Sequence, residues 1–204
     1  VAEQAVPRNV VVLSETASSP LLTDYVDNDY LFRMAPSDVH QGRVLAQLAM
    51  GEGAQTAVMV INADDVYGSG LAGEFAAEFT RLGGELTQLV EIPEDVLTGF
   101  GDTIPGVFAT SPDVVIVALL GGAVSAQFIN ESIGQNFAGL YLLPDGGVGS
   151  DFTDNLASVD LIKKAIGVSP GFGVESNPQF TAFRDSYLAT FGLAHQQFDT
   201  NVYD

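Results

Sequence analysis

The chain has 204 residues, 47% of them hydrophobic, which is enough to bury a full core in one domain or two small ones and excludes a disordered chain. Against 26 acidic residues stand 7 basic ones, a formal charge of -19, so the Lys/Arg footprint that nucleic acid or an anionic membrane surface needs is missing. With no cysteine, the chain has no disulfide, thiolate metal site or cysteine nucleophile.

The 22 glycines and 9 prolines are spread without a repeat, which removes solenoid and fibrous architectures. No apolar run approaches the roughly 18–20 residues of a membrane-spanning helix. The acidity reads as a solvated surface of the kind suited to a salty or extracellular medium, and it names no ligand. No charged segment followed by an apolar one opens the chain at Val1, so a secretion signal is expected to lie outside it.

In chain order, Val10 to Leu13 is a short β-branched run closed by the small polar cluster Ser14 to Pro20, a strand running into a loop. Asp24, Asp27 and Asp29 are spaced somewhat like calcium-loop ligands. Tyr30 stands where that loop's sharp turn needs glycine, and no glutamate closes it, so they are expected to be solvated loop acids. Thr56 to Ile61 is the next strand; Leu71, Phe75, Phe79 and Leu82 then recur at helical spacing until Gly83-Gly84 stops the pattern. Glu85 to Ile92 resumes as a strand, and the glycine-broken stretch from Glu94 to Ser111 carries a short helix before the buried strand Val114 to Leu120. Val124, Phe128 and Ile133 give a helical face, Gly139 to Leu143 and Ala165 to Val168 two more strands, and Pro178 to Phe191 a closing helix.

This alternation predicts an α/β fold with a mostly parallel sheet flanked by helices on both faces. In such a sheet ligands sit where strand C-termini meet helix N-termini. Four loops therefore become candidates: 14–19, 62–67, 120–122 and 144–149.

The stretch DDVYGSGLAG (64–73) contains a G-x-G-x-x-G, the pattern of a dinucleotide cradle, and Glu91 lies where a ribose-binding acid would be expected. Two features oppose that reading. Six residues separate the strand from Gly68, and Asp64 and Asp65 place negative charge where a pyrophosphate would sit, with no nearby Lys or Arg. The same glycines also serve a turn and close helix–sheet packing. His40 and His195 are the only histidines and are expected at the surface; no G-x-S-x-G, H-E-x-x-H or Walker sequence appears, so neither catalysis nor a cofactor is called for.

The order SETASSPLLT (14–23), FRMAPSD (32–38) with Gln41-Gly42, DDVYGSGLAGEF (64–75), SPDVVIVA (111–118), PDGG (144–147) and NVYD (201–204) resembles the type I periplasmic solute-binding proteins of ABC transporters, and within them the branched-chain amino acid and amide-binding group. The resemblance implies two α/β lobes closing on a small ligand in the cleft between them, with crossovers near Phe32 to Asp38 and Ser169 to Phe172. By it, residues 1–35 are the last strand of the N-terminal lobe and a crossover, 36–168 the C-terminal lobe, and 169–204 the return crossover and closing helix. Most of the N-terminal lobe is then missing.

The resemblance also assigns the site. Thr16, Ala17 and Ser18, with Ser14 nearby, match the loop that holds a ligand carboxylate through backbone amides and a hydroxyl. Tyr67 matches an aromatic residue that packs on the ligand and hydrogen-bonds it, and Asp145 an acid that pairs with its ammonium. Leu120 stands where many such binders carry a tyrosine, which leaves the ligand's identity open. The implied function is capture of a small amino acid or related carboxylate for an ABC transporter permease, in a periplasmic or extracellular setting. A sensory ectodomain is the alternative on the same lobe, and an NAD-type oxidoreductase using Gly68 to Gly73 is the competing class.

Overall fold

The structure, a computed structural model, describes residues 2–170 and 177–194. The chain divides into two units, one drawn from Val1–Ser37 and Pro170–Asp204, the other the unbroken run Asp38–Ser169.

The first unit opens with a one-turn helix, α1 (Ala2–Ala5), and two short strands, β1 (Val12–Ser14) and β2 (Leu31–Arg33). They pair in parallel with Leu13 opposite Phe32. The strand expected over Val10–Leu13 is displaced toward Ser14, because the Val10 N–H is spent on the Ala5 carbonyl before pairing starts at Val12.

In the second unit the elements run α2 (Asp38–Gly51), β3 (Thr56–Asn62), α3 (Val66–Arg81), β4 (Glu85–Ile92), α4 (Ile104–Phe108), β5 (Val114–Ala118), α5 (Gly122–Glu131), β6 (Leu140–Leu143), α6 (Ser150–Thr153), α7 (Val159–Ile162) and β7 (Ala165–Gly167). A further helix, α8 (Pro178–Phe191), belongs to the first unit. The second unit's five strands are all parallel, in the order β4-β3-β5-β6-β7. The chain leaves β3 toward one edge, returns to β3's other side with β5 and continues outward, so the order reverses between β3 and β5. That reversal point is where open α/β sheets bind ligands.

Alternation along the central strands divides the core. Ala57, Met59 and Ile61 of β3 join Val114, Ile116 and Ala118 of β5 against α2 and α3, where Leu45, Ala49, Leu71, Phe75 and Phe79 are buried. Val58, Val60, Val115 and Val117 face the opposite way, onto Ile104 and Val107 of α4, Phe128 and Ile129 of α5, and Phe152 of α6. Both faces of the sheet are thus covered.

Two differences from the sequence pattern have physical causes. Helix α3 begins at Val66, earlier than the apolar period beginning at Leu71, because Asp65 caps it, and this places Gly68, Gly70 and Gly73 inside the helix. Helix α2 was not expected at all. Its core-facing positions are mostly small, with Gly42, Ala46 and Ala49 beside Leu45, so no strong apolar period announces it. The small residues let α2 come close to α3: a Cβ on Gly42 would stand 2.7 Å from Glu74 Cβ and 2.8 Å from the Phe75 backbone nitrogen. Gly42→Ala is accordingly expected to cost about 1–3 kcal/mol by overpacking despite alanine's better helix propensity. Urea unfolding measures this, and an unchanged midpoint would show that the two helices separate freely.

Candidate functional site

The candidate site of the Asp38–Ser169 unit is built at the C-terminal ends of β3, β5 and β6. Beyond β3, the Asp65 carboxylate accepts the N–H groups of Tyr67 (3.1 Å) and Gly68 (2.9 Å), so free donors at the start of α3 are already satisfied by the protein's own anion. Gly68 packs the helix onto the strand, since a Cβ there would lie 2.9 Å from Ile61 Cβ, whereas Gly73 faces open space. The glycine motif is a cap and a packing contact, and a phosphate would meet Asp65 in its seat.

Capping fixes the first turn and directs Tyr67 across the sheet end. Its phenol oxygen lies 2.6 Å from Asp145 Oδ1 and 3.1 Å from Gln41 Oε1. Asp145 begins the one-turn helical segment Asp145–Gly147 after β6, and its Oδ1 also accepts the Gly146 N–H at 2.8 Å. Oδ1 therefore holds two donors, and among the described residues no hydrogen bond uses Oδ2. Burial, reinforced by the Asp145 and Asp38 charges, pushes the Tyr67 phenol well above its ordinary range. It stays a protonated donor across the physiological range.

Residues separated by 78 positions in sequence, Tyr67 and Asp145, are thus joined directly. Leu120 is exposed just past β5, and its N–H is held by Asn62 Oδ1 at 2.7 Å, across the point where strand order reverses. Asn62 is buried, and its Nδ2 has no hydrogen-bond partner within the described residues. Neither Asn62 nor Gln41 was assigned a role from sequence. A polar residue ending an otherwise apolar strand was the one available signal for the first.

The loop of the first unit stands by itself. Ser14 ends β1 and its Oγ accepts the Ala17 N–H at 3.2 Å, so that amide is spent inside the loop. Thr16 is exposed and Ser18 buried. Arg33 ties the segment down, donating from Nη1 to the carbonyls of Ser18 (3.4 Å) and Ser19 (2.8 Å) and from Nη2 to Thr23 Oγ1 (2.8 Å).

Other candidates carry less chemistry. A cavity of about 560 Å³ lies at the opposite end of the sheet, lined by Ala54, Asp113, Val114, Gly139 and Leu140, which precede or open the strands. Of its two lining acids, Glu52 and Asp113, the second is already committed: Asp113 Oδ2 accepts the N–H groups of Gln55 and Thr56 and the Thr56 hydroxyl, all at 2.9 Å, which also holds the carboxyl below its usual range. The strand C-termini remain the better site, because the helix starts and polar side chains converge there. Asp27 turns inward to accept the N–H groups of Asp29 (3.1 Å) and Leu31 (3.2 Å), a backbone role, and His40 is exposed. His195 and the NVYD segment lie outside the described residues. Among the described residues no group of three or more His, Asp or Glu is placed to hold a metal, and no helix is long and apolar enough to cross a membrane.

Polar side chains gathered at the reversal point of a parallel α/β sheet mark the place where such folds take small molecules. Residues 1–204 match the family profile described as periplasmic binding protein, and the chain belongs to that family. No curated protein matches it by sequence. Among solved structures it is similar to the leucine-binding protein LivK of Thermotoga maritima, with a TM-score of 0.86 and 21% identity over 100% of this chain and 57% of that one. It is also similar to LivJ of Streptococcus pneumoniae in complex with isoleucine (TM-score 0.81, 20% identity, 100% and 57% covered). A third likeness is to a Rhodopseudomonas palustris solute-binding protein in complex with benzoate, with a TM-score of 0.79 and 17% identity over 100% of this chain and 55% of that one. The chain spans little more than half the length of these proteins.

Proposed function

We propose that this chain is part of the substrate-binding component of an ABC importer and captures a small amino acid or related carboxylate without catalysing a reaction on it. The carrying observation is the Tyr67–Asp145 pair, which saturates one carboxylate oxygen and leaves the other for a ligand. Asp38, Asp64 and Asp65 add negative charge around the same end of the sheet, which favours the ammonium of an amino acid over a ligand with no cation. Tyr67 offers its ring face to the ligand. Leu120, exposed and apolar, offers a surface for the ligand's side chain.

In the first unit, Ser14, Thr16, Ala17 and Ser18 are the proposed carboxylate-binding loop. The Ala17 amide is already held by Ser14, so the Thr16 amide and the hydroxyls of Thr16 and Ser18 are the donors to test. The proposed setting is periplasmic or extracellular, with a membrane permease as partner. Residues 36–168 are the C-terminal lobe in this reading, residues 1–35 the last strand of the N-terminal lobe and a crossover, and residues 169–204 the return crossover and closing helix.

The test is a thermal-shift panel of L-amino acids, their amides, benzoate, 4-hydroxybenzoate and NAD(P), each at millimolar concentration. A ligand at one hundred times its dissociation constant stabilises by about 2.7 kcal/mol. The expected result is a shift with one or a few amino acids. A shift confined to amine-free aromatic carboxylates, or to NAD(P), would overturn the proposal.

A further inference from the structure

We propose that Gln41 is a positioning residue for the ligand-binding carboxylate of Asp145, acting through the phenol of Tyr67. The inference rests on the capture reading above and adds to it a residue that never touches the ligand.

Asp145 sits on a single helical turn with no side-chain cap, and its recorded partners are the Tyr67 hydroxyl and the adjacent Gly146 N–H. The Gly146 contact is local and moves with the turn. Among the described residues, Tyr67 is thus the one group from a distant element hydrogen-bonded to Asp145. Its ring is partly buried against the α2–α3 core, which places the oxygen but leaves the direction of the O–H bond to its hydrogen-bond partners.

Gln41 removes that freedom. The phenol carries a single proton, and the short contact to the carboxylate takes it. Gln41 Oε1 stands 3.1 Å from the phenol oxygen, and because the phenol's single proton goes to Asp145 we assign the amide the turned orientation, in which its NH₂ group donates to that oxygen. The Gln41 backbone is anchored beside Gly42, where α2 meets α3 so tightly that a Cβ would stand 2.7 Å from Glu74 Cβ. Gln41 therefore sets the Tyr67 hydroxyl, and Tyr67 sets Asp145. Supporting polar residues on regular elements hold binding groups to the tolerance that recognition needs.

A double-mutant cycle tests this with Gln41→Leu, Tyr67→Phe and the double variant. Titration calorimetry would use L-isoleucine and, as a probe of the same skeleton without the amine, 3-methylpentanoate. Gln41→Leu should weaken isoleucine by about 2- to 10-fold, the range one neutral hydrogen bond supports. It should leave 3-methylpentanoate unchanged, and it should cost nothing further once Tyr67 is Phe. Unchanged isoleucine affinity in Gln41→Leu, or losses that simply add in the double variant, would overturn the proposal.

A ligand-free arm separates this inference from the capture reading. Urea unfolding of Gln41→Leu, Asp145→Ala and their combination should show coupling between two residues that share no hydrogen bond, and the coupling should vanish in the Tyr67→Phe background. If isoleucine fails to bind the unaltered protein, the capture reading loses that ligand while this arm still decides the network. Absence of coupling while Tyr67 is intact, or coupling that persists in the Tyr67→Phe background, would overturn it.

Discussion

Asp145→Asn is expected to weaken an amine-bearing ligand by about 10- to 100-fold, the worth of a hydrogen bond between charged groups. The substitution keeps the shape of the side chain, and its carbonyl can still accept from Tyr67 and Gly146 as Oδ1 does. What changes is the second position. An NH₂ group replaces the oxygen offered to the ammonium, so attraction becomes a clash of donors. The loss should be confined to ligands with an amine, and 3-methylpentanoate should bind no worse than before. Calorimetric titration of both probes measures the difference, and equal losses for the two would remove Asp145 from direct contact.

The largest expected effect on stability is at Phe75. This ring is fully buried on α3, stacks on Phe79 with centroids 5.0 Å apart and belongs to the core shared by β3, β5 and α2. Phe75→Ala should cost about 3–5 kcal/mol, through lost transfer energy and the cavity left behind. That is a large part of the 5–15 kcal/mol that holds a typical domain folded. Urea unfolding gives the value. A loss below about 1 kcal/mol would mean that α2 and α3 close over the gap, contrary to the tight backbone approach at Gly42.

The sheet was legible because its strands carry their own signal. Ala57–Ile61 and Val114–Ala118 are unbroken apolar runs, as strands buried on both faces must be. Helix α2 was not, because contact between backbones is made by residues too small to mark a hydrophobic face. Leu119 and Leu120 extended the apolar run past the end of β5, and only the geometry shows Leu120 turned out to solvent. At the site, strand-end position gave the loops and the family resemblance gave Tyr67 and Asp145 their roles, but the bond between them depends on which strands are neighbours. Gln41 could be quoted as part of a motif without a role, since its role exists only once α2 lies beside α3.

The division of the chain also bears on the order of events during synthesis. The five-stranded sheet and both its cores come from one uninterrupted run, whereas the other unit is assembled from segments on either side of it. A ribosome adding roughly 5–20 residues per second emits the intervening stretch in on the order of ten seconds. Throughout that interval the strand pair Val12–Ser14 and Leu31–Arg33 exists without the C-terminal segments of its unit. A two-stranded sheet is marginal by itself. The Asp38–Ser169 unit can therefore fold before the unit that flanks it is complete, and the two-stranded pair stays marginal until its own C-terminal segments are made.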